Sequence, residues 1–299
     1  MSINNSNNSN NFYYENIDDP DKEIKVIEDA KLINVNNDNN KSLQPSQSKL
    51  LVDLIKENSS LFKTEFDIPY ALVDIDGHYE VLQIESKKFK RYLFKKYYDT
   101  FGNKIPSSEN IKNAIQILDA EAIFKGPTIS LHLRTAWIDN ERKDAIYYDL
   151  TDSKNRHVKI TLQNWEVVTN QTDVLFKKYN HLLPQVNPFP QSIRELDSMD
   201  TKYSKIPILK RFMSLFNISD SGNKLLLECY IISLFIPDLP KPVLILHGEQ
   251  GGAKSTSQEL IKMLVDPSSI PTLTFPRDTT EFVQQLDHNY IIYYDNGTC

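Results

Sequence analysis

Residues 243–255 read Val-Leu-Ile-Leu-His-Gly-Glu-Gln-Gly-Gly-Ala-Lys-Ser, and this stretch decides the fold expected for the C-terminal part of the chain. Its apolar start predicts a short strand over 242–247, and the residues from 254 to 265 have helical spacing. Between them, Gly248, Lys254 and Ser255 match the phosphate-binding template Gly-x-x-x-x-Gly-Lys-Ser/Thr. A strand, a glycine-rich loop and a helix in this order predict a P-loop.

The chemistry of such a loop predicts ATP and Mg²⁺ as ligands. Backbone N–H groups of small residues converge on phosphate oxygens at the positive end of the following helix. Lys254 would reach the β- and γ-phosphates, and the Ser255 hydroxyl would bind Mg²⁺. Ala253 replaces the second template glycine and would be strained if its φ were positive. The expected nucleotide-binding residues are Gly248, Glu249, Gln250, Gly251, Gly252, Ala253, Lys254, Ser255 and Thr256.

A P-loop also needs an acid on a neighbouring strand. The apolar run 290–294 ends at Asp295, which we expect to be the second metal ligand. Asn296 follows, where an amide could orient water but is a poor base. Lys254, Asp295 and Asn296 are therefore the candidate catalytic residues. A solvated Asp-Asn-Gly turn is the alternative for this strand end.

The sequence divides into parts of different composition. Twelve of the first 40 residues are Asn, so 1–48 is expected to be a disordered tail. Helical and alternating patterns in 49–181 predict an α+β domain with a mostly antiparallel sheet. Three prolines within 182–191 indicate a linker. Helices and an incomplete α/β P-loop core are expected in 192–299.

Composition excludes several classes of protein. The net charge of −6 argues against a nucleic-acid coat protein, and the two cysteines predict no disulfide framework. The chain begins without a secretory signal, and the longest mostly apolar run is too short to span a bilayer. We expect a cytoplasmic protein without membrane contact.

One helix combines basic and aromatic residues. Residues 87–101 predict an amphipathic helix whose cations could follow a phosphate backbone while its aromatic rings stack on bases. An ordinary solvated basic face is the alternative. The candidate nucleic-acid residues are Lys87, Lys88, Lys90, Arg91 and Lys95.

A second acidic candidate lies further upstream. Asp74 and Asp76 flank Ile75 in the spacing of a primase-type metal pair. However, Gly77 follows directly, and Asp-Gly is a common hairpin turn. We expect a hairpin.

The chain resembles a known family in several places. HGEQGGAKSTSQELIKMLVDPSS (247–269), PRD (276–278) and YYDN (293–296) are similar to the ATPase region of plasmid- and phage-type primase–helicases, near the superfamily 3 helicases. Shorter upstream matches occur in the same order: GHYE (77–80), SKKFKRYL (86–93), DAEA (119–122), YYDL (147–150) and NWEVV (164–168). The resemblance implies an oligomeric, ATP-driven motor that acts on single-stranded or forked DNA in mobile-element replication.

Two departures from that family change the expected activity. Ala253 replaces a usual glycine, and the chain ends four residues after Asp295. Later strands, a sensor residue and an arginine finger would be missing, so we expect an incomplete chain with weak or absent turnover alone. An ATP-binding interaction module is the alternative. A small-substrate kinase is disfavoured because it would need a lid and substrate-binding arginines.

Overall fold

The computed structural model describes residues 45–139, 141–188, 208–249 and 251–294. In these ranges the chain is a mixed helix-and-sheet structure, as predicted, and the unit that begins at Ser46 is compact. The predicted site residues Gln250, Asp295 and Asn296 lie outside the described ranges. Residues 1–44 of the predicted tail also lie outside these ranges, as does the predicted linker from residue 189 onward.

The elements run from helices around a small sheet, through a second sheet, to a helical C-terminal part. In chain order they are α1 (Gln47–Asn58), β1 (Ser59–Lys63), β2 (Pro69–Ile75), β3 (His78–Gln83), α2 (Lys87–Thr100), α3 (Ser108–Lys125), β4 (Leu131–His132), β5 (Thr135–Trp137), β6 (Ala145–Asp149), β7 (His157–Thr161), β8 (Trp165–Val168), β9 (Leu175–Phe176), α4 (Ile208–Met213), α5 (Ser221–Ser233), α6 (Lys254–Val265) and α7 (Thr279–His288).

The first sheet has the antiparallel order β1-β2-β3. Asp76 and Gly77 join β2 to β3 with φ values of 51° and 83°, so both central turn residues are left-handed, as a two-residue hairpin favours. Asp74 Oδ1 accepts the Gly77 N–H at 2.9 Å. The predicted hairpin is therefore confirmed, and the Asp74 side chain stabilises its turn.

Three helices cover this sheet and share a core with it. Leu51 and Ile55 of α1, Phe89 of α2 and Leu118 of α3 are all fully buried in it. Ser46 caps α1, because its side chain accepts the Lys49 N–H. Ser48 lies two residues further along, inside the helix, where its hydroxyl donates to Asn110 Oδ1 of α3 at 2.8 Å. Ser48 thus joins two helices and does not cap either.

The second sheet is antiparallel in the order β5-β6-β7-β8, and β4 pairs with β9 in parallel beside it. The first residues of the predicted linker are bonded to neighbouring elements. Leu183 N–H donates to Pro267 C=O at 2.9 Å, and Gln185 N–H donates to Leu150 C=O at 2.9 Å. The backbone is therefore tied to neighbouring elements at Leu183 and Gln185, whereas the Val186 side chain is exposed.

The C-terminal part has its own core, built from α4, α5, α6 and the segment before Asp295. The strand predicted at 242–247 is wrong for the described chain, because no ladder partner lies beside it. Val243 is 86% exposed and Ile245 is 78% exposed, whereas Leu244 packs on the core. Among the described residues, the strand predicted at 290–294 forms one parallel bridge, from Tyr294 to Leu273. No helix among the described residues has the length and apolar character to cross a membrane.

Candidate nucleotide-binding site

The predicted phosphate loop leads directly into α6, which spans Lys254–Val265 as the sequence indicated. The loop turns through several left-handed positions: φ is 151° at Gly248, 81° at Gly251 and 57° at Ala253. Glycine takes such values freely, whereas an alanine there costs about 1–2 kcal/mol. Ala253 is therefore a strained residue at the entrance to the helix.

The N-terminus of α6 differs from those of α1, α2, α3, α5 and α7. Side chains of Ser46, Ser86, Ser107, Asp220 and Asp278 cap α1, α2, α3, α5 and α7, respectively. The residue at the N-cap of α6 is Ala253, which offers no side-chain hydrogen bond. The first-turn N–H groups of a helix carry partial positive charge and attract an anion.

The Lys254 side chain folds back over the loop. Its Nζ donates to Gly248 C=O at 2.9 Å and to Glu249 C=O at 2.8 Å. Gly252 N–H also donates to Glu249 C=O, at 3.2 Å, and closes the loop from the other side. The ammonium group is thus held beside the left-handed turns and the start of α6. A phosphate entering there would meet a cation that is already positioned.

Three parts of the predicted site pack on one core. Leu244 precedes the loop, Ile261 and Val265 belong to the helix after it, and Ile291 and Tyr293 precede Asp295. The order of loop, helix and acidic segment was predicted from sequence, and these buried side chains bring the elements into contact. Leu273 N–H also donates to Tyr293 C=O at 2.8 Å, beside the parallel bridge at Tyr294.

A buried charged network anchors the far end of α6. The Asp266 carboxylate accepts from Arg134 at 3.0 Å, from Lys262 at 3.3 Å and from the Ile291 N–H at 3.2 Å. Lys262 Nζ also donates to Ile291 C=O. Burial lowers the pKa of Lys262, while Asp266 acts in the opposite direction. The network fixes the segment before Asp295 to α6.

Sequence reasoning missed this network. Arg134 lies within the apolar run 129–138, and Lys262 and Asp266 have the i, i+4 spacing of a helical ion pair. A lone arginine in a predicted strand is a signal for a buried partner. The partner itself follows only from the fold.

The predicted metal site lies only partly within the described residues. Ser255 lies at the second position of α6, where its side chain is partly buried. Its expected partner, Asp295, follows the last described residue. Among the described residues, no group of three or more His, Cys, Asp or Glu side chains is placed to hold a metal ion. A hydroxyl next to the loop lysine suits Mg²⁺, a hard cation that takes oxygen ligands.

The basic residues of α2 divide into two sets. Lys88 pairs with Glu80, and Lys95 pairs with Asp99 at 2.5 Å. Lys87, Lys90 and Arg91 are exposed on the same helix. The sequence prediction of a nucleic-acid surface on α2 stays a prediction.

Comparisons with models of protein families and with curated proteins give no match for this chain.

Proposed function

We propose that the chain binds Mg-ATP at the loop 248–255 and belongs to an ATPase that drives DNA replication of a mobile element. The observation that carries the proposal is the uncapped start of α6, together with Lys254 held over the left-handed loop. A loop with these properties supplies backbone donors, a helix dipole and an ammonium group to a phosphate chain.

Each residue of the proposed site would have a separate role in nucleotide binding. Backbone N–H groups around Gly251 and Ala253 would receive the phosphates. Lys254 would exchange its two loop carbonyls for phosphate oxygens and neutralise charge that develops during phosphoryl transfer. Ser255 and Asp295 would hold Mg²⁺, which would supply positive charge to offset that of the phosphates.

The motor role is supported by sequence resemblance and by the coupling of elements. The stretches 247–269, 276–278 and 293–296 resemble the ATPase region of primase–helicases. Through Asp266, α6 is also linked to Arg134 in the upstream part of the chain. The helix that follows the loop is thus joined directly to that part of the chain. Single-stranded or forked DNA and further copies of the chain are the proposed partners.

The second candidate is an ATP-binding interaction module with no significant hydrolysis. Asn296 favours it, because an amide at that position cannot accept a proton from the attacking water. In this case, nucleotide would stabilise the loop and α6 without being consumed.

Hydrolysis of ATP by the purified chain, with and without single-stranded DNA, separates the two candidates. Phosphate release that DNA stimulates and that Lys254→Ala abolishes supports the motor. Saturable binding with release no faster than that of Lys254→Ala supports the module. Absence of both binding and hydrolysis would reject both candidates.

A further inference from the structure

An open groove of about 740 Å³ lies between α2 and α3. On the α2 side it is lined by Lys90, Arg91 and Phe94, which follow one another along one face of the helix. On the α3 side the lining residues have the i, i+3, i+4, i+7, i+8 spacing of a single stripe: Ser108, Ile111, Lys112, Ile115 and Gln116. Two helical stripes thus form the walls.

The charge of the groove suits a polyanion. Three cations, Lys90, Arg91 and Lys112, line it, against one carboxylate, Glu85. Within the described chain, the ion pairs of α2 use Lys88 and Lys95, and the cations that line the groove make none. Exposed cations without a carboxylate partner keep their full attraction for phosphate groups.

The groove also offers an aromatic face. Phe94 is 37% exposed and lies in the groove lining. Its ring stacks on that of Tyr98, with centroids 6.4 Å apart and an angle of 11° between the planes. The fixed ring next to cations is the arrangement on which unpaired bases stack. A duplex, whose bases are already stacked, could not use it.

The start of α3 adds a third attraction. Ser108 is the first residue of this 18-residue helix and lines the groove. The positive end of the helix dipole therefore lies at the groove, near Lys112 one turn further on, although Ser107 caps this helix and Glu109 in its first turn offsets part of the positive charge. The dipole and the cations act on the same anion.

We propose that this groove binds single-stranded nucleic acid, with Lys90, Arg91 and Lys112 on the phosphates and Phe94 against a base. The inference deepens the proposed function and rests on it for the use of such binding. Binding itself is measured without nucleotide, so the groove and the ATP site can fail separately.

The test is the anisotropy of fluorescein-labelled oligo-dT and oligo-U, titrated with the full 299-residue chain at several salt concentrations. The double substitution Lys90→Ala/Arg91→Ala should make the slope of log Kobs against log salt shallower by about 0.7 for each cation removed. Phe94→Leu keeps an apolar side chain and should weaken binding by about tenfold through lost stacking. The two probes decide between DNA and RNA as the occupant.

One control lies on the same helix and one at the predicted phosphate loop. Lys95→Ala removes a cation that pairs with Asp99 and does not line the groove, so the groove proposal, unlike the broader sequence prediction for α2, expects the affinity to stay unchanged. Lys254→Ala should also bind the probes as wild type does. Circular dichroism melts of each variant exclude loss of folding, which the exposure of Lys90 and Arg91 makes an unexpected result.

Three outcomes would overturn the inference. The first is no binding of either probe by the wild-type chain. The second is equal weakening by Lys95→Ala and by the groove double substitution. The third is that duplex DNA or polyglutamate binds as tightly as the single strands and that Phe94→Leu has no effect. This result would assign the groove to a different polyanion.

Discussion

The guanidinium of Arg134 and the carboxylate of Asp266 meet at 3.0 Å, with side-chain exposures of 0% and 1%. They are 132 residues apart in sequence. Arg134 Nη1 also donates to Asp149 C=O at 3.2 Å and to the Thr151 hydroxyl at 2.6 Å. One buried arginine therefore joins the second sheet to the C-terminal end of α6, the helix that follows the predicted phosphate loop.

Removal of Arg134 should be strongly destabilising. Arg134→Met leaves Asp266 buried with fewer donors, and breaking a buried ion pair from one side costs about 3–5 kcal/mol. Urea denaturation should show this as a lower free energy of unfolding. The exposed pair Arg142–Asp139 is the matched control, and Arg142→Met should hardly move the midpoint.

The double substitution Arg134→Met/Asp266→Leu makes the test stricter. The double substitution should lower the free energy of unfolding by less than the sum of the two single substitutions, because no unpaired carboxylate remains at this position. Additive losses would contradict a direct interaction between the two side chains.

Ala253→Gly should stabilise the protein. The φ of Ala253 is 57°, and replacing an alanine in that region by glycine relieves strain of about 1 kcal/mol. The same change at Ala120, an exposed position within α3, should lower the free energy of unfolding by about 1 kcal/mol. Chemical denaturation of both variants should show a higher free energy of unfolding for Ala253→Gly and a lower one for Ala120→Gly. Equal destabilisation would show that position 253 is not left-handed in solution.

His157 should make stability depend on pH. Its side chain is 2% exposed, and burial lowers its pKa below 6.5, although Asp149 opposes this shift. As the pH falls through about 6.5, His157 is protonated in the unfolded chain but stays neutral in the folded chain. Folding stability is therefore lost as the pH falls. The pKa values of His132 and His181 are also lowered by burial, which acts in the same direction.

His157→Gln should therefore lose less stability than wild type between neutral pH and about pH 5. Urea midpoints at a series of pH values measure the effect. His247→Gln, at an exposed position, is the control and should retain the wild-type profile. Identical profiles for wild type and His157→Gln would refute this role for His157.

Local signals predicted most of the helices well. The predicted 87–101 forms as Lys87–Thr100, and α6 spans the predicted residues, because apolar periodicity and caps act within a few residues. The Asp76-Gly77 hairpin followed from the same local chemistry. The loop residues 248–255 were likewise read from a continuous motif.

Long-range pairing could not be predicted. The apolar run 242–247 predicted a strand, but strand formation depends on a partner, and none pairs with it among the described residues. The contact of Arg134 with Asp266, and the groove that adds Lys112 to the cations of α2, depend on how distant elements pack. Sequence patterns carry no direct record of these contacts.

Thermal unfolding with and without Mg-ATP tests the central claim most directly, with Lys254→Ala and the exposed-lysine control Lys210→Ala measured beside wild type. Ligand at about 100 times its Kd should stabilise wild type and Lys210→Ala by about 2.7 kcal/mol, and Lys254→Ala by far less. Omission of Mg²⁺ should reduce the shift. Equal shifts in wild type and Lys254→Ala, or no shift in any of the proteins, would contradict a nucleotide site at the loop 248–255.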